Sequence, residues 1–587
     1  MKKLSIILFA TIFIFASCVK DEEPETTTPS TNPTGNVVSS SITTNTVWST
    51  GNVYIVDGVL SINGATLTIE PGTVVKFEKG SYINVGNSSN GSAIIANGTV
   101  DKPIIFTSNA PTPTKGDWNG IFFEDGTAST TSLKYCKFYY SGGYSSSYGT
   151  INLDGCSISM EYCEIKNSDN YGITLTSDAK FDSFTHNTLS EIANHPIKLY
   201  PNAVHTIGTF NDIIASAPSY GILIKGGTYD KANETWLNQT VPYIVDGVLN
   251  VENTAGCILN IEAGTTIGFT QGSYMNVANS SNTYATIKAI GSDSKHITFT
   301  SSAPSKTAGD WGCIFLEDGT SNSTAFEYCD FEYGGGYSSS YGIVNLYDCS
   351  ASFTNCTFSN SETYGISLNN SSWFTNFKDN SFSSCASYAV KIYGNYAHTI
   401  GTGNTFNTNL GILVKGDIYE QANETWKKQQ CAYYIDGLLS IESTSGSTLN
   451  IEPGTKIYFT QGSYINVGTS SNTYGKIIAQ GTASERIEFS SAAPAGSASA
   501  GDWGCIFFEE GTSGGTIMDN CDFLYGGGYS SSYGMIDIDD CGSNVTISNC
   551  NFAHSQYHGI SIDTSSANPT LTNNTFTDIA GDDIHNY

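Results

Sequence analysis

The apolar residues of this chain fall in short runs. Val53–Val56, Ala65–Ile69, Val74–Phe77, Tyr82–Val85, Ala93–Ala96 and Ile104–Thr107 are β-branched or aromatic, and several alternate apolar with polar positions. Such alternation marks half-buried strands. Pro71-Gly72-Thr73, Asn97-Gly98-Thr99 and Asp125-Gly126-Thr127 punctuate the chain with residues that supply turn geometry. Beyond the apolar N-terminal segment, no long stretch keeps a helical period. The pattern predicts an all-β chain of many short strands.

The runs themselves recur. Ser141–Gly149 reads Ser-Gly-Gly-Tyr-Ser-Ser-Ser-Tyr-Gly; Gly334–Gly342 and Gly526–Gly534 differ only in a leading Gly, at offsets of 193 and 192 residues. Asp117-Trp118, Asp310-Trp311 and Asp502-Trp503 keep the same beat. A fixed period in whole blocks marks a repeat architecture. The chain divides into three tandem copies of about 190 residues: 47–236, 237–426 and 427–587, the last truncated and suited to cap the array. Within a copy, Cys136 and Cys163 head similar phrases 27 residues apart, as do Cys329 and Cys356. That length suits one coil of three short strands. A single coil cannot bury its apolar side, whereas stacked coils share a core. The reading is a right-handed parallel β-helix, a solenoid of about 20–24 coils and roughly 100 Å. Three β-sandwich domains are the alternative. Asn355, Asn549 and Asn573, at recurrent turn positions, would stack their amides between coils.

Charge and cysteines narrow the picture. With 25 Lys and Arg against 54 Asp and Glu, the net charge is −29. Nucleic acid is excluded as a partner, because phosphate binding needs a cationic surface. The acidic surface would suit Ca²⁺, though no segment has EF-hand spacing. Of 15 Cys, Cys136, Cys156 and Cys163 recur as Cys329, Cys349 and Cys356, and again as Cys521, Cys541 and Cys550. They read as buried thiols, with a disulfide between adjacent coils as the alternative.

At the N-terminus, Lys2-Lys3, the apolar Leu4–Ala16 and Ser17-Cys18 resemble a bacterial lipoprotein signal. Lys20-Asp21-Glu22-Glu23 is similar to the export tag of surface lipoproteins in the Bacteroidetes. The resemblance implies a signal peptide over 1–17 and lipidation at Cys18. Residues 18–46 would form a Thr/Pro/Asn-rich tether. The protein would then be anchored in the outer membrane, facing outward, with the lipid as its only membrane contact.

Leu67–Thr73, Lys102–Ser108 and Gly116–Phe123 resemble the right-handed β-helix repeat proteins of bacterial surfaces, and 355–368 is similar to their parallel β-helix repeats. The resemblance implies the fold, which hosts lyases, hydrolases and adhesins alike. Pectate-lyase-like members use carboxylate-bound Ca²⁺ and an Arg or Lys base. Arg486, the one arginine, reads instead as a turn residue entering a strand. Asp539-Asp540, His558-Gly559 and Asp582-Asp583 with His585 echo polygalacturonase-like phrases but lack their companions. Gly511–Gly515 matches G-x-S-x-G only formally, without the strand–turn–helix context. No catalytic residue is assigned.

The repeated surface is the stronger candidate. Each copy sets a Trp (Trp118, Trp311, Trp503) before a strand and an acidic pair after it: Glu124-Asp125, Glu317-Asp318 and Glu509-Glu510. About one coil later come Tyr144 and Tyr148, Tyr337 and Tyr341, Tyr529 and Tyr533. Aromatic faces beside carboxylates suit a sugar, and three sites along a rod would hold a long polymer by avidity. Packing of the same residues over the coil below is the competing reading. The favoured function is a non-catalytic rod that binds glycan or adheres to a host or neighbouring cell. The alternative is a polysaccharide lyase or glycoside hydrolase acting on an acidic polysaccharide.

Overall fold

A computed structural model describes residues 35–87, 91–408 and 410–587. The expected signal peptide, Cys18 and most of the tether lie outside the described residues. The rest is a parallel β-solenoid of about 21 turns with almost no helix, as the right-handed β-helix reading required. The ladders run parallel from coil to coil, and no sandwich forms among the described residues. Stacking starts ahead of residue 47: Asn36–Val38 pairs with Val53–Val56, so the first coil takes in residues assigned to the tether.

Each coil gives one strand to each of three faces. Val53–Val56, Val59–Ile62 and Thr66–Ile69 make one coil, and Val74–Phe77, Tyr82–Val85 and Ala93–Asn97 lie over them in register. Alternation sorts the side chains. In Tyr82–Val85, Ile83 and Val85 are buried, whereas Tyr82 and Asn84 face outward. Like residues then stack along the axis. Phe299, Phe331, Phe358 and Phe382 form a column with ring centroids 5.0, 4.7 and 4.8 Å apart. Each such burial contributes about 1.5–3 kcal/mol.

The recurrent cysteines are free, buried thiols. Cys136 and Cys163 donate their S–H groups to Ala96 O at 3.2 Å and Leu133 O at 3.4 Å. The Asn columns form as well: Asn573 Nδ2 donates to Asn549 Oδ1 at 3.3 Å, and Asn380 Nδ2 to Asn404 Oδ1 at 3.2 Å.

The copies do not join face to face. The outward row through Phe122 continues through Asn152, Thr174, Lys198, Leu223, Ile244, Gly268 and Thr300. Phe315, the counterpart of Phe122, lies in a different row, after Asn250 and Asn276. Two long strands make the change. The first halves of Ile222–Tyr229 and Tyr243–Val251 continue one face, and their second halves start the next. A bulge between Lys225 and Gly227 separates the halves, and Lys225 pairs with Asp246 there. Ile412–Tyr419 and Tyr433–Ile441 repeat the shift, with Lys415 on Asp436. Each junction therefore moves equivalent strands one face around the rod.

Candidate functional site

The Gly-Asp-Trp and Tyr/Gly/Ser segments share a beat because they touch. The glycine at the second position of the cassette (Gly142, Gly335, Gly527) has φ of 85°, 86° and 75°, the left-handed region that favours glycine. At the third (Gly143, Gly336, Gly528), a Cβ would lie 2.1 Å from the carbonyl oxygen of Gly116, Gly309 or Gly501. The two segments thus pack backbone to backbone. Gly143, Gly336 and Gly528 donate their N–H groups to Trp118, Trp311 and Trp503 O at 3.1, 3.0 and 3.0 Å.

The tryptophans are not ligand platforms, which corrects the expectation for Trp118, Trp311 and Trp503. All three are fully buried. They stack on Phe77, Phe269 and Phe459 at 4.0, 4.3 and 4.5 Å. Their Nε1–H groups donate to Tyr139, Glu332 and Leu524 O, each at 2.8 Å. Each Trp plugs a corner of the core. The preceding Asp is structural too: Asp310 accepts from Ser301 Oγ at 2.7 Å and from Thr307 N at 2.9 Å, which lowers its carboxyl pKa despite partial burial.

The tyrosines go the other way. Tyr144, Tyr337 and Tyr529 are 48%, 48% and 50% exposed. Tyr148 is exposed, and Tyr341 and Tyr533 are half-buried. In each copy the loop folds back over an outward Phe. Tyr144 and Tyr148 meet Phe122 edge-on at 5.0 and 5.4 Å, Tyr337 and Tyr341 meet Phe315 at 5.0 and 5.1 Å, and Tyr529 and Tyr533 meet Phe507 at 4.9 and 5.4 Å. A third tyrosine, one coil before the Phe, completes each cluster: Tyr82, Tyr274 and Tyr464 lie 5.6, 5.2 and 5.1 Å from the first loop tyrosine. In the first copy the cluster lines a cavity of 160 Å³ with Asn84, Glu124, Asn152, Asp154, Thr174 and Thr176.

The acidic pairs split. Glu124, Glu317 and Glu509 are half-buried beside the rings, whereas Asp125, Asp318 and Glu510 are exposed. Burial, then neighbouring carboxylates, raises the pKa of all three Glu: Asp154 and Asp125 act on Glu124, Asp318 and Asp348 on Glu317, Asp539 and Asp537 on Glu509. Among the described residues, Asn84 Oδ1 and Asn466 Oδ1 are shielded from solvent without a hydrogen-bond partner. The pockets thus offer aromatic edges together with hydrogen-bond acceptors.

Tyr82, Asn84, Phe122, Asn152 and their counterparts are not among the site residues expected from the sequence, although Tyr82–Val85 and Gly116–Phe123 are read there as strand and family-like phrases. A signal existed: Ser81-Tyr82-Ile83-Asn84-Val85 recurs as 273–277 and 463–467, and its alternation turns Tyr and Asn outward.

The expected spacing along the rod holds, but not a shared face. Seven coils separate Phe122 from Phe315, through strands starting at Gly149, Tyr171, Ile197, Ile222, Tyr243, Tyr274 and Ile314. At about 4.8 Å per coil this is about 34 Å. Two junction shifts then set the three pockets on three different sides.

The remaining candidates are committed elsewhere. Arg486 Nε binds Asp522 Oδ1 at 2.7 Å, and its guanidinium also donates to Cys521 O and Asn549 O. It stands just ahead of strand Ile487–Ser491, where its reading as a turn residue entering a strand puts it, and it ties coils together there. Gly511–Gly515 is a turn between strands Ile506–Phe508 and Thr516–Asp519. Among the described residues, two groups bring three potential metal-binding atoms within 4.8 Å: His558, Asp582 and His585, and Asp539, Asp540 and Asp563. The His558 and His585 rings are stacked 4.0 Å apart at 10°, so their in-plane lone pairs run parallel and do not converge on one ion. His558 Nδ1 already accepts from Asp582 N at 2.9 Å. Nothing beyond proximity marks the Asp group as a Ca²⁺ site.

No curated protein matches the chain. Residues 40–186 and 227–347 are similar to the family profile described as the pectate-lyase-like β-helix domain, a match that covers most of the first copy and part of the second.

Proposed function

We propose that this protein is a non-catalytic surface rod whose three aromatic pockets bind sugar units of a glycan. The observation that carries the reading is a triple construction. Exposed tyrosines close over an outward Phe beside a half-buried Glu in all three copies. Exposed rings give the CH face of a sugar a place to stack, and the Glu and Asp carboxylates accept from its hydroxyls. The first cavity has room for about one sugar ring. Its lining holds Glu124 and Asp154 but, among the described residues, no Lys or Arg. That lining disfavours an acidic polysaccharide, the substrate of the enzymatic alternative. Because the pockets face three sides, each would engage a different chain, and the rod would bridge a glycan mesh. Lipidation at Cys18 would hold it at the outer membrane, facing outward.

The test is to mix the purified protein with neutral, amino and acidic polysaccharides, with and without chelator. Binding is followed by calorimetry and chain length by mass spectrometry. Retained, intact chains and cross-linked precipitates are expected. Shortened or unsaturated products would make it an enzyme, and retention of none of the chains would sink the binding role.

A further inference from the structure

The third pocket differs from its two near-copies in how it is charged. Asn152 and Asn345 stand at one position of the pocket row; Asp537 stands there in the third copy. Asn152 Oδ1 accepts from Gly149 N at 2.7 Å, and its Nδ2 donates to Gly149 O at 2.8 Å. Asn345 does the same with Gly342 at 2.8 and 3.0 Å. In the third copy Ser561 Oγ takes over the amide of Gly534 at 2.9 Å and donates to Asp537 Oδ1. Tyr587 OH adds a second donor at 3.2 Å. Asp537 is 2% exposed, so a carboxyl group has been built into a buried position that an amide fills elsewhere.

Two further exchanges point the same way. Thr176 and Asn369 are replaced by Asp563. Lys198 and Lys391 lie two rungs beyond the Asn, donate to the loop carbonyls of Ser147 and Ser340, and rest over Tyr171 and Tyr364. In the third copy those places hold His585 and His558, stacked on each other. Relative to both other copies, the surroundings of the third pocket have therefore gained the carboxyl groups of Asp537 and Asp563 and lost the ammonium that braces the loop. Burial, then neighbouring carboxylates, raises the carboxyls of Glu509, Asp537 and Asp539 beside Tyr533: Asp539 and Asp537 act on Glu509, Asp539 and Asp563 on Asp537, and Asp540 and Asp563 on Asp539.

We infer that the third pocket takes a sugar carrying a free ammonium group, while the first two take neutral sugar units. The tyrosine edges hold the ring as in the other pockets. The sugar's ammonium offsets the negative charge that Asp537 and Asp563 add and that no lysine balances in this copy. This rests on the glycan-binding reading and adds the class of sugar for one site. The rod is then bispecific by side: two faces for neutral units and one for amino sugar.

The test compares oligomers of glucosamine with the same oligomers fully N-acetylated, by calorimetry on the full protein. Asp537→Asn is the diagnostic variant, and it restores the residue that the other copies already fold with. About tenfold tighter binding of the free amine, lost in Asp537→Asn while N-acetylated binding is unchanged, is expected. Equal affinity for the two oligomers, or a preference that survives Asp537→Asn, overturns the inference and leaves the binding role standing. A lysine peptide that binds as tightly as the amino sugar overturns it as well, by assigning the site to protein amines. Binding of neither oligomer, with no neutral glycan retained, overturns this inference and the binding role together.

Discussion

The Trp of each Gly-Asp-Trp and the tyrosines of each Tyr/Gly/Ser loop repeat with equal fidelity, yet the structure sends them to opposite fates. Trp311 is fully buried against Phe269, its one polar atom satisfied by Glu332 O. Tyr337, whose neighbour Gly336 donates its N–H to that tryptophan's carbonyl, is 48% exposed. One residue holds the corner of the coil; the other is presented by it. Repetition between copies therefore reports that a segment is copied, and only packing reports whether it holds the fold or faces a ligand. The comparison can be broken at four points.

The largest effect is expected at the buried member. Trp311→Ala removes a core ring and leaves a cavity, at about 3–5 kcal/mol. The melting temperature should fall, while glycan affinity of the protein that remains folded should hardly change. A variant that melts like wild type but binds glycan weakly would return Trp311 to the ligand site.

Asp537 lies between the two fates, polar and facing the pocket yet buried like the tryptophan. Burial, only partly offset by Ser561 and Tyr587, raises its carboxyl to about 6 from 3.8. The native state thus holds a proton that the unfolded chain gives up first. Its contribution to stability is fullest below pH 4 and is lost as pH rises through 6. Asp537→Asn should stabilise the third copy by roughly 1–3 kcal/mol at pH 7.5 and by little at pH 4. Urea midpoints at the two pH values measure this, and a gain independent of pH would refute the assignment.

How much of this was legible beforehand follows from what periodicity encodes. Alternation in Tyr82–Val85 and the cassette offsets gave strands, coils and copies, since stacking repeats side chains along an axis. The buried thiols and the Asn549–Asn573 column followed from the same rule. The tryptophans were misassigned because a large aromatic next to a repeated loop looks the same in sequence whether it faces in or out. Only the phase of its strand against the core decides. The face shift was invisible for a different reason. It arises where Ile222–Tyr229 bends at a bulge and pairs with two faces at once, and a one-face rotation leaves the period unchanged.

The exposed member should answer in the opposite currency to Trp311. Tyr337→Ala with Tyr341→Ala removes surface rings, so stability should move within about 1 kcal/mol. Affinity at the second pocket should fall about tenfold, or ~1.4 kcal/mol. Other pockets would mask this, so the variant is best read with Tyr144 and Tyr529 also changed to Ala. A stability loss near that of Trp311→Ala, with binding intact, would make the tyrosines packing residues after all.

The smallest effect concerns what holds the exposed loop still. Lys391 Nζ reaches 51 residues back along the chain to Ser340 O, at 3.3 Å, and lies 5.4 Å from the Tyr364 ring. The contact is partly solvated, so it adds at most about 1 kcal/mol. Its value is preorganisation: the loop gives up its freedom before ligand arrives and not on binding. Lys391→Ala should leave the melting temperature in place and weaken the second pocket by about two- to threefold, chiefly through a larger entropic cost seen in calorimetry. The third pocket, which has His585 at that place in the row, should be indifferent to that change. An equal loss there would mean that Lys391 acts through the long-range charge of the rod and not through its own loop, and the brace would then be no part of what separates a presented ring from a buried one.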